Sequence, residues 1–225
     1  MKHYQDAVNT SIEACNMSNR KSPWKCIDIV SIYLKLKDID KAYIWLNKAV
    51  KYGFLSYSAL YDEEFKLLKK DKRFELIIKE IKAEIGIGKP AKAFTAKSIS
   101  GKEISLAKLK GKVVLIDFWA VWCSPCVKGI PHLKELYKKY KDKNFEIIGI
   151  NLDEKVETLN KYIAKKKIPW KMIHSGKAWL DDIAKLYKVN LIPSYWLIDK
   201  KGILRDFGLH LRDKKKLEDA IEKLL

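Results

Sequence analysis

The stretch that decides the fold is Val113-Val114-Leu115-Ile116-Asp117-Phe118-Trp119-Ala120-Val121-Trp122-Cys123-Ser124-Pro125-Cys126. Apart from Asp117, its first six residues are β-branched, aliphatic or aromatic, which is typical of a buried strand. The residues that follow, Val127 to Tyr140, carry apolar side chains at helical spacing. The two cysteines therefore lie where a buried strand turns into a helix.

Cys123 and Cys126 are placed for thiol chemistry. Cys123 falls at the helix N-terminus, where unpaired N–H groups and the helix dipole favour a thiolate. Cys126 lies three residues further on, on the same face of the first turn and close enough to form a disulfide with Cys123. Pro125 suits a first-turn position, because the N–H that proline lacks would have no helical partner there. A reactive thiol of low pKa beside a sheltered second thiol is suited to exchange with other disulfides.

A Cys-x-x-Cys pair also occurs in zinc sites, which need two further ligands at metal spacing. The other two cysteines, Cys15 and Cys26, are eleven residues apart and fall in a different part of the chain. None of the four histidines lies within three residues of a cysteine. We therefore predict a redox dithiol and no metal site.

The composition excludes several classes of protein. The chain has 225 residues, 48% of them hydrophobic, and a formal charge of +18. Only four of the 46 basic residues are arginine, and the lysines are spread along helix faces, unlike the concentrated patch of a nucleic-acid-binding protein. No run reaches about 18 apolar residues, so no membrane span is predicted. The first ten residues do not have the pattern of a signal peptide.

Residues 1–85 are predicted to be helical throughout. Ser22 and Pro23 have the residue types of an N-cap and a first helical position, and Gly53 is placed to end a later helix. The predicted helices run over residues 4–17, over 23 to about 37, over 41–52 and within 59–85.

The stretch Tyr33 to Val50 covers the end of one predicted helix, the turn after it and most of the next helix. It resembles a tetratricopeptide repeat at the turn between its two helices. Lys37 stands where that family usually has Gly. Only one repeat is clear, whereas a stable solenoid needs about three. Two interpretations of residues 1–85 therefore stay open: a repeat that binds a peptide, or a small helical bundle that packs on the next domain.

Cys15 and Cys26 are candidates for a structural disulfide. They lie near the end of the first predicted helix and the start of the second, positions that face each other in an antiparallel helix hairpin. Helix axes ~8–10 Å apart bring such Cα atoms within disulfide range. A bridge would stabilise the fold by about 3 kcal/mol in the chain-entropy model and would indicate an oxidising compartment. Two buried thiols are an equal alternative.

Gly86-Ile87-Gly88-Lys89-Pro90 is the predicted linker to a second domain at residues 91–225. Residues 1–85 carry 16 basic and 12 acidic residues, whereas 86–225 carry 30 and 16. In the second domain, strand and helix patterns alternate and a hairpin closes the series, which predicts an α/β fold with a mixed sheet. The predicted strands lie at 113–119, 145–152 and 168–173, with hairpins at 94–106 and 194–207, and the predicted helices at 124–140, 155–166, 178–187 and 213–225.

Three groups of residues in 88–225 resemble the thioredoxin fold, and in particular the TlpA/ResA-type thiol–disulfide oxidoreductases, whose domain overlaps in sequence with the alkyl hydroperoxide reductase–thiol antioxidant group. They are Phe94-Thr95 with Gly101-Lys102 and Leu106, then Leu109-Lys110-Gly111-Lys112-Val113-Val114 before the Trp-Cys-x-x-Cys run, and Leu191-Ile192-Pro193-Ser194-Tyr195-Trp196-Leu197-Ile198-Asp199. The resemblance implies a thioredoxin-like mixed central sheet flanked by helices, here preceded by the small all-α domain. It implies no cofactor other than the redox-active disulfide Cys123–Cys126.

The resemblance also implies roles for single residues. Cys123 attacks a substrate disulfide, and Cys126 resolves the mixed disulfide that forms. Asp117 takes the place of thioredoxin's buried acid beneath the active site, where a carboxyl of raised pKa can shuttle a proton; the alternative is a strand residue without a chemical role. Pro193 is expected as a cis proline against Cys123, the alternative being a trans proline at the start of a strand. The Ile192 backbone is expected to pair with an extended substrate segment.

Trp119 and Trp122 are expected to shape the rim of the site. Two positions depart from the family pattern. Many TlpA/ResA-type sequences carry Glu three residues after the second cysteine, where this chain has Gly129, and thioredoxin carries a Lys where this chain has Gly149. Asp117 is therefore expected to be the only acid at the site and to lack a cationic partner.

The function that follows is a protein thiol–disulfide oxidoreductase that reduces or maintains partner-protein thiols. Its expected partners are a disulfide-containing substrate protein and an upstream thiol donor, with no nucleic acid and no stable membrane insertion. The alternative is an interaction scaffold, in which the helical domain recruits a partner and the dithiol is secondary. A thiol peroxidase would need Thr-x-x-Cys, and position 120 is Ala. The family suggests a periplasmic or other extracytoplasmic location, with the cytoplasm as the alternative, and the direction of electron flow stays open.

Overall fold

The structure is a computed structural model that describes residues 9–13 and 22–225. The chain divides into two compact units, Met1–Ile85 and Gly86–Leu225. Most of the predicted first helix lies outside the described residues, although 9–13 are helical.

The first unit contains a helical hairpin followed by short turns and a third long helix. Ser22 and Asp38 cap the helices of the hairpin, each accepting a hydrogen bond from the backbone N–H three residues on. At the turn between them, Lys37 adopts a left-handed conformation with φ 59°, the conformation that favours Gly at such a position. The helices are α1 (Pro23–Lys35), α2 (Ile39–Lys51) and α3 (Lys72–Ile85).

The region before α3 differs from the prediction. Residues 59–71 were predicted as part of further helices, but the structure has three short 3₁₀ turns there: Tyr57–Tyr61, Glu63–Phe65 and Leu68–Lys70. Their buried residues Leu60, Phe65 and Leu68 fill the core of this unit. The tetratricopeptide interpretation stays a prediction, because the structure describes one helical hairpin and not a series of repeats.

Cys26 is fully buried in α1. Its predicted partner, Cys15, lies outside the described residues. The Cys15–Cys26 bridge therefore stays a prediction.

The second unit is built on a five-stranded sheet in the order β5-β4-β3-β6-β7. The central strand β3 pairs in parallel with β4 and antiparallel with β6, so the sheet is mixed. All seven residues of β3 and of β4 are buried, which explains why apolar residues occur on both faces of these strands instead of alternating with polar ones. The buried polar exceptions are Asp117, Glu146 and Asn151. The strands are β1 (Thr95–Lys97), β2 (Glu103–Ser105), β3 (Val113–Trp119), β4 (Phe145–Asn151), β5 (Lys171–His174), β6 (Ser194–Ile198) and β7 (Leu204–Phe207), of which β1 and β2 form a separate hairpin.

Helices cover both faces of this sheet. Trp119 of β3 contacts Tyr162 on one face with ring centroids 5.7 Å apart, and Phe118 contacts Tyr187 on the other at 5.8 Å. Successive residues of a strand point to opposite faces, so Asp117 shares the face of Trp119. The helices are α4 (Ser124–Tyr140), α5 (Val156–Lys166), α6 (Asp182–Leu186) and α7 (Lys214–Glu222).

The predicted linker at 86–90 is partly tied to the second unit. The N–H of Gly88 donates to the Leu204 carbonyl at 2.8 Å, and the N–H of Leu204 donates to the Lys89 carbonyl at 2.9 Å. The N–H of Ala91 donates to the Gly202 carbonyl at 2.9 Å. Residues 88–91 thus run along the β6–β7 hairpin and are not a free connection.

Candidate active site

The two predicted redox cysteines are joined in a disulfide at the start of α4. The Cys123–Cys126 bond has an S–S length of 2.02 Å and a Cα–Cα distance of 5.2 Å. Cys123 is the N-cap of the helix, and the Cys126 N–H donates to its Sγ at 3.3 Å. A helix N-terminal N–H aimed at a sulfur stabilises that sulfur as a thiolate.

The turn that carries Cys123 is anchored from the neighbouring strand. Asp153 lies just beyond β4, is buried, and its Oδ2 accepts the Val121 N–H at 2.8 Å. The same oxygen accepts the Asn151 side-chain amide at 2.7 Å, and His174 lies 3.0 Å from the Asn151 amide oxygen. This polar network fixes the backbone two residues before Cys123.

Asp117 lies on β3, fully buried. Burial raises the pKa of its carboxyl to about 8, because a charge is poorly solvated in an apolar interior. Among the described residues, its Oδ1 has no hydrogen-bond partner. Asp117 therefore has the burial and the raised pKa that were expected of an acid beneath the dithiol.

Gly149 is the β4 residue opposite Asp117. It stands where thioredoxin carries a lysine. A Cβ there would lie 2.3 Å from the Met172 sulfur and 3.2 Å from the Trp119 indole nitrogen. Met172 and Trp119 therefore occupy the space that a side chain at position 149 would need. This packing gives a physical reason why no cation accompanies Asp117 from that strand.

The prediction that Trp119 lies on the rim of the site is wrong. Trp119 is fully buried, and its indole N–H donates to the Met172 sulfur at 3.2 Å. It points into the core because it follows Asp117 by two residues on β3 and shares its face. Trp122 lies beyond the end of the strand and is 57% exposed, as a rim residue must be.

Tyr195 occupies the space next to Gly129, the position where many TlpA/ResA-type sequences carry Glu. It is the β6 residue opposite Asp117, and it is buried. A Cβ at Gly129 would lie 3.0 Å from the Tyr195 hydroxyl oxygen. Since Gly129 is one helical turn beyond Cys126, the hydroxyl of Tyr195 reaches the first turns of α4.

The Ile192–Pro193 peptide bond is cis, as the resemblance implies. Arg212 holds this segment: its guanidinium donates to the Pro193 carbonyl through Nε at 3.1 Å and through a terminal nitrogen at 2.8 Å. Ile192 is buried.

Within residues 9–13 and 22–225, no three His, Cys, Asp or Glu side chains group together as metal ligands would. No helix in this part of the chain is long and apolar enough to cross a membrane.

Comparison with known proteins identifies the family. The sequence profile of the AhpC/TSA family matches residues 87–207, more than half of the chain. ResA of Bacillus cereus, a thiol–disulfide oxidoreductase, is 35% identical over 144 residues, which are 64% of this chain and 81% of that protein. The chain belongs to the AhpC/TSA family, among its ResA-type thiol–disulfide oxidoreductases.

Other relatives agree with this assignment. The thioredoxin-like protein YneN of Bacillus subtilis is 30% identical over 146 residues, 63% of this chain and 83% of that protein. The structure of a putative thiol:disulfide interchange protein DsbE from Chlorobium tepidum superposes with a TM-score of 0.56 at 31% identity, covering 61% of this chain and 96% of that one. The thioredoxin domain of a thiol–disulfide oxidoreductase from Bacteroides vulgatus gives 0.55 at 34% identity, with the same coverage. The predicted thioredoxin-like fold and the predicted enzyme class are confirmed.

Several residues around the dithiol of this ResA-type oxidoreductase were not found from the sequence. Trp179 contacts Trp122, with ring centroids 6.2 Å apart, but it fell inside a predicted helix, where nothing marked it. The side chains of Asp153 and Arg212 hydrogen-bond to backbone groups that are distant in sequence. Contacts of this kind become visible only in the folded chain. Tyr195 was quoted as part of the proline segment, and its position opposite Asp117 could have been found by aligning β3 with β6.

Proposed function

We propose that this thiol–disulfide oxidoreductase reduces disulfides of partner proteins, or keeps their thiols reduced, and that an upstream thiol donor restores its own dithiol. The observation that carries the proposal is the Cys123–Cys126 pair at the N-terminus of α4, next to the strand that holds the buried Asp117. This arrangement provides a nucleophilic sulfur, a second sulfur within bonding distance and a buried carboxyl. The redox-active disulfide is the only redox group that this reaction requires.

The reaction proceeds in two exchange steps. The Cys123 thiolate attacks one sulfur of the substrate disulfide, the substrate S–S bond breaks, and the other substrate sulfur leaves as a thiolate. Cys126 then loses its proton and attacks the Cys123 sulfur. The mixed disulfide breaks and releases the second substrate thiolate. The two electrons gained by the substrate come from the two thiols, which end as the Cys123–Cys126 disulfide.

Asp117 is proposed to accept the Cys126 proton, directly or through water. A carboxyl with a pKa of about 8 lies close to the ordinary thiol value of ~8.5. A proton can therefore move between the two groups without a large free-energy step. The alternative, a buried carboxyl with no chemical role, is separated from this proposal by the rate of the second exchange step in an Asp117 variant.

The cis-proline segment is proposed to bind the substrate backbone. An extended substrate segment would pair with the Ile192 backbone as an added strand. The two hydrogen bonds from Arg212 to the Pro193 carbonyl support this role, because they keep the segment in one position.

The role of the helical unit and the cellular location are further parts of the proposal. The helical unit is proposed to recruit the natural partner, with the tetratricopeptide-like turn at Lys37 as its supporting feature. An extracytoplasmic location, such as the periplasm, is proposed from the resemblance to TlpA/ResA-type proteins, and cell fractionation tests it. The scaffold alternative is not favoured, because the relatives are named thiol–disulfide oxidoreductases.

The test is a stoichiometric reduction experiment. The protein is reduced, freed of reductant and mixed with a disulfide-containing protein such as insulin, and the new substrate thiols are counted. Wild type should yield two substrate thiols per molecule. Cys123→Ser should yield none, and Cys126→Ser should accumulate a mixed disulfide. A reduction potential of the Cys123–Cys126 couple above that of the substrate would show that electrons flow in the opposite direction, into this protein.

A further inference from the structure

Trp122, which directly precedes Cys123, and Trp179, which contacts Trp122, are both exposed, and the exposed Leu180 follows Trp179 in the chain. Trp122 is 57% exposed, Trp179 is 42% exposed and Leu180 is 64% exposed. The two indole rings contact each other with centroids 6.2 Å apart. We call Trp122 and Trp179 the aromatic platform.

The backbone that presents Trp179 and Leu180 is held in an unfavourable conformation. Ala178 has φ 47°, in the left-handed region that residues with a Cβ rarely adopt. On the other side, buried Asp181 caps α6 by accepting the Ala184 N–H at 2.8 Å. A strained residue held by a buried cap keeps its conformation because the surroundings require it, and such strain clusters at functional sites.

The platform is continuous with the place where a substrate must bind. Trp122 directly precedes Cys123, and the sulfur of Cys123 is the atom that bonds to the substrate in the mixed disulfide. A polypeptide segment bonded through its cysteine to Cys123 therefore has its neighbouring side chains close to Trp122. Two exposed tryptophans in contact offer a rigid apolar surface, which is typical of the residues that contribute most to binding.

We propose that the aromatic platform binds an apolar side chain of the substrate protein, adjacent in sequence to the substrate's disulfide cysteine. Trp179 is the specificity-determining residue, because it widens the surface offered by Trp122. The inference depends on the proposed function, since it concerns the substrate of the same reaction. It predicts a preference for disulfides flanked by Phe, Tyr or Leu over disulfides flanked by small polar residues.

The experiment compares two disulfide peptides that differ at one residue beside the cysteine, Phe in one and Ser in the other. Wild type should reduce the Phe peptide with the higher kcat/KM. Trp179→Ala should lower kcat/KM for the Phe peptide about tenfold, mainly through KM, and lower it much less for the Ser peptide, so that the preference for Phe is lost. Leu76→Ala is the control, because Leu76 is 67% exposed and belongs to the first unit. An equal change for both peptides, or no change for either, overturns the platform.

A binding measurement separates this inference from the proposed function. The Phe peptide, with its cysteines replaced by serine, is titrated into the oxidised wild-type protein while tryptophan fluorescence is recorded. Saturable binding that Trp179→Ala weakens about tenfold supports the platform even if no peptide is reduced. Reduction of both peptides without any such binding would leave the proposed function intact and reject the platform.

An independent feature is the contact between Tyr195 and Gly129 beneath the dithiol. Tyr195 faces Asp117 across the β3–β6 pair, and its hydroxyl oxygen lies 3.0 Å from the place of a Gly129 Cβ. Gly129 follows Cys126 by three residues on α4, and residues at this spacing share a helix face. The phenol therefore extends from the strand of the proton acceptor towards the helix of the proton donor.

We propose that Tyr195 is a positioning residue for the proton transfer between Cys126 and Asp117, and this proposal depends on the role proposed for Asp117. During the transfer its hydroxyl would donate a hydrogen bond to the Asp117 carboxylate or to an intervening water, and would keep its own proton. Burial and the nearby Asp117 raise the pKa of Tyr195, so the phenol stays a donor. Gly129 is required because a methyl group there would crowd the hydroxyl.

The test follows the two exchange steps separately. Tyr195→Phe should slow resolution of the mixed disulfide about tenfold and leave attack by Cys123 unchanged. Gly129→Ala should also slow resolution in the wild-type background but add little in the Tyr195→Phe background, since the crowded hydroxyl is gone. Resolution at the wild-type rate in Tyr195→Phe, or equal slowing of both steps, overturns the proposal. If Asp117→Asn also resolves at the wild-type rate, the proposed proton acceptor itself is rejected.

Discussion

At the scale of single residues, the buried carboxyl of Asp117 invites the most direct test. We expect Asp117→Asn to slow resolution of the mixed disulfide by about 10²-fold or more, because a neutral amide cannot accept the Cys126 proton. Attack by Cys123 should keep its rate, since the thiolate there is stabilised by the helix N-terminus. Stopped-flow measurement of the two steps checks this, and equal rates in wild type and variant would remove Asp117 from the mechanism.

The same residue predicts how stability depends on pH. Burial raises the pKa of Asp117 from its ordinary value of 3.8 to about 8 in the folded chain. Between these values the native state keeps a proton that the unfolded chain releases, so this group's contribution is fully present below about pH 4 and is lost as the pH rises towards 8. Relative to Asp117→Asn, wild type should lose up to about 1.4 kcal/mol of unfolding free energy per pH unit over that range. Denaturant unfolding of the oxidised proteins at several pH values measures the difference, and parallel profiles would contradict the raised pKa.

Cys123 should titrate well below a free cysteine. It caps α4 and its sulfur receives a hydrogen bond from the Cys126 N–H, so we expect the helix N-terminus to lower the pKa of this thiol in the reduced protein. Ultraviolet absorbance of the thiolate against pH checks this in Cys126→Ser, with Cys123→Ser/Cys126→Ser subtracted to remove the signal of the other cysteines. Titration near the free-cysteine value of ~8.5 would count against Cys123 as the nucleophile.

At the scale of elements, the strand–turn–helix around the dithiol could be predicted from the sequence almost residue by residue. The apolar run gave the strand, and Ser124-Pro125 marked the start of α4. The sequence could not predict to which face of the sheet each side chain of β3 points. All seven residues of β3 are buried, so no alternation of polar and apolar residues distinguishes the two faces. The expectation that Trp119 lies on the rim is wrong, because this side chain packs in the core. The short turns before α3 were missed because a 3₁₀ turn and an α-helix place apolar residues at similar spacing.

The turn between β3 and α4 predicts a role for Asp153. Asp153→Ala removes the acceptor of the Val121 N–H and of the Asn151 amide, and we expect it to lower the unfolding free energy by ~1–3 kcal/mol. It should also slow attack by Cys123, because the turn that positions this sulfur loosens. Asp153→Asn keeps one acceptor oxygen and serves as the matched control, with a smaller expected loss. An Asp153→Ala protein as stable and reactive as wild type would show that the network does not hold the site.

At the scale of the whole molecule, the boundary between the units determines what a fragment can do. The predicted linker was drawn at 86–90 because of its glycines and proline, but residues 88–91 hydrogen-bond to the β6–β7 hairpin. The sequence shows that the composition becomes rich in glycine and proline at residues 86–90. It could not show this pairing, which joins segments more than a hundred residues apart. A fragment that keeps these hydrogen bonds must therefore begin no later than Gly88.

Residues 86–225 alone should fold and reduce a generic disulfide at a rate within about twofold of the full chain. Both cysteines, Asp117, the cis proline and its Arg212 partner lie within this unit, and its sheet has a buried core of its own. What the fragment should lose is preference for the natural partner, because a recruiting module raises effective concentration without changing the chemistry. Thermal unfolding and insulin reduction of the fragment, beside the full chain, measure both properties. A soluble and cooperative fragment with near-full activity supports a recruiting helical unit, whereas an aggregated or inactive one would show that the redox unit needs residues 1–85 to fold.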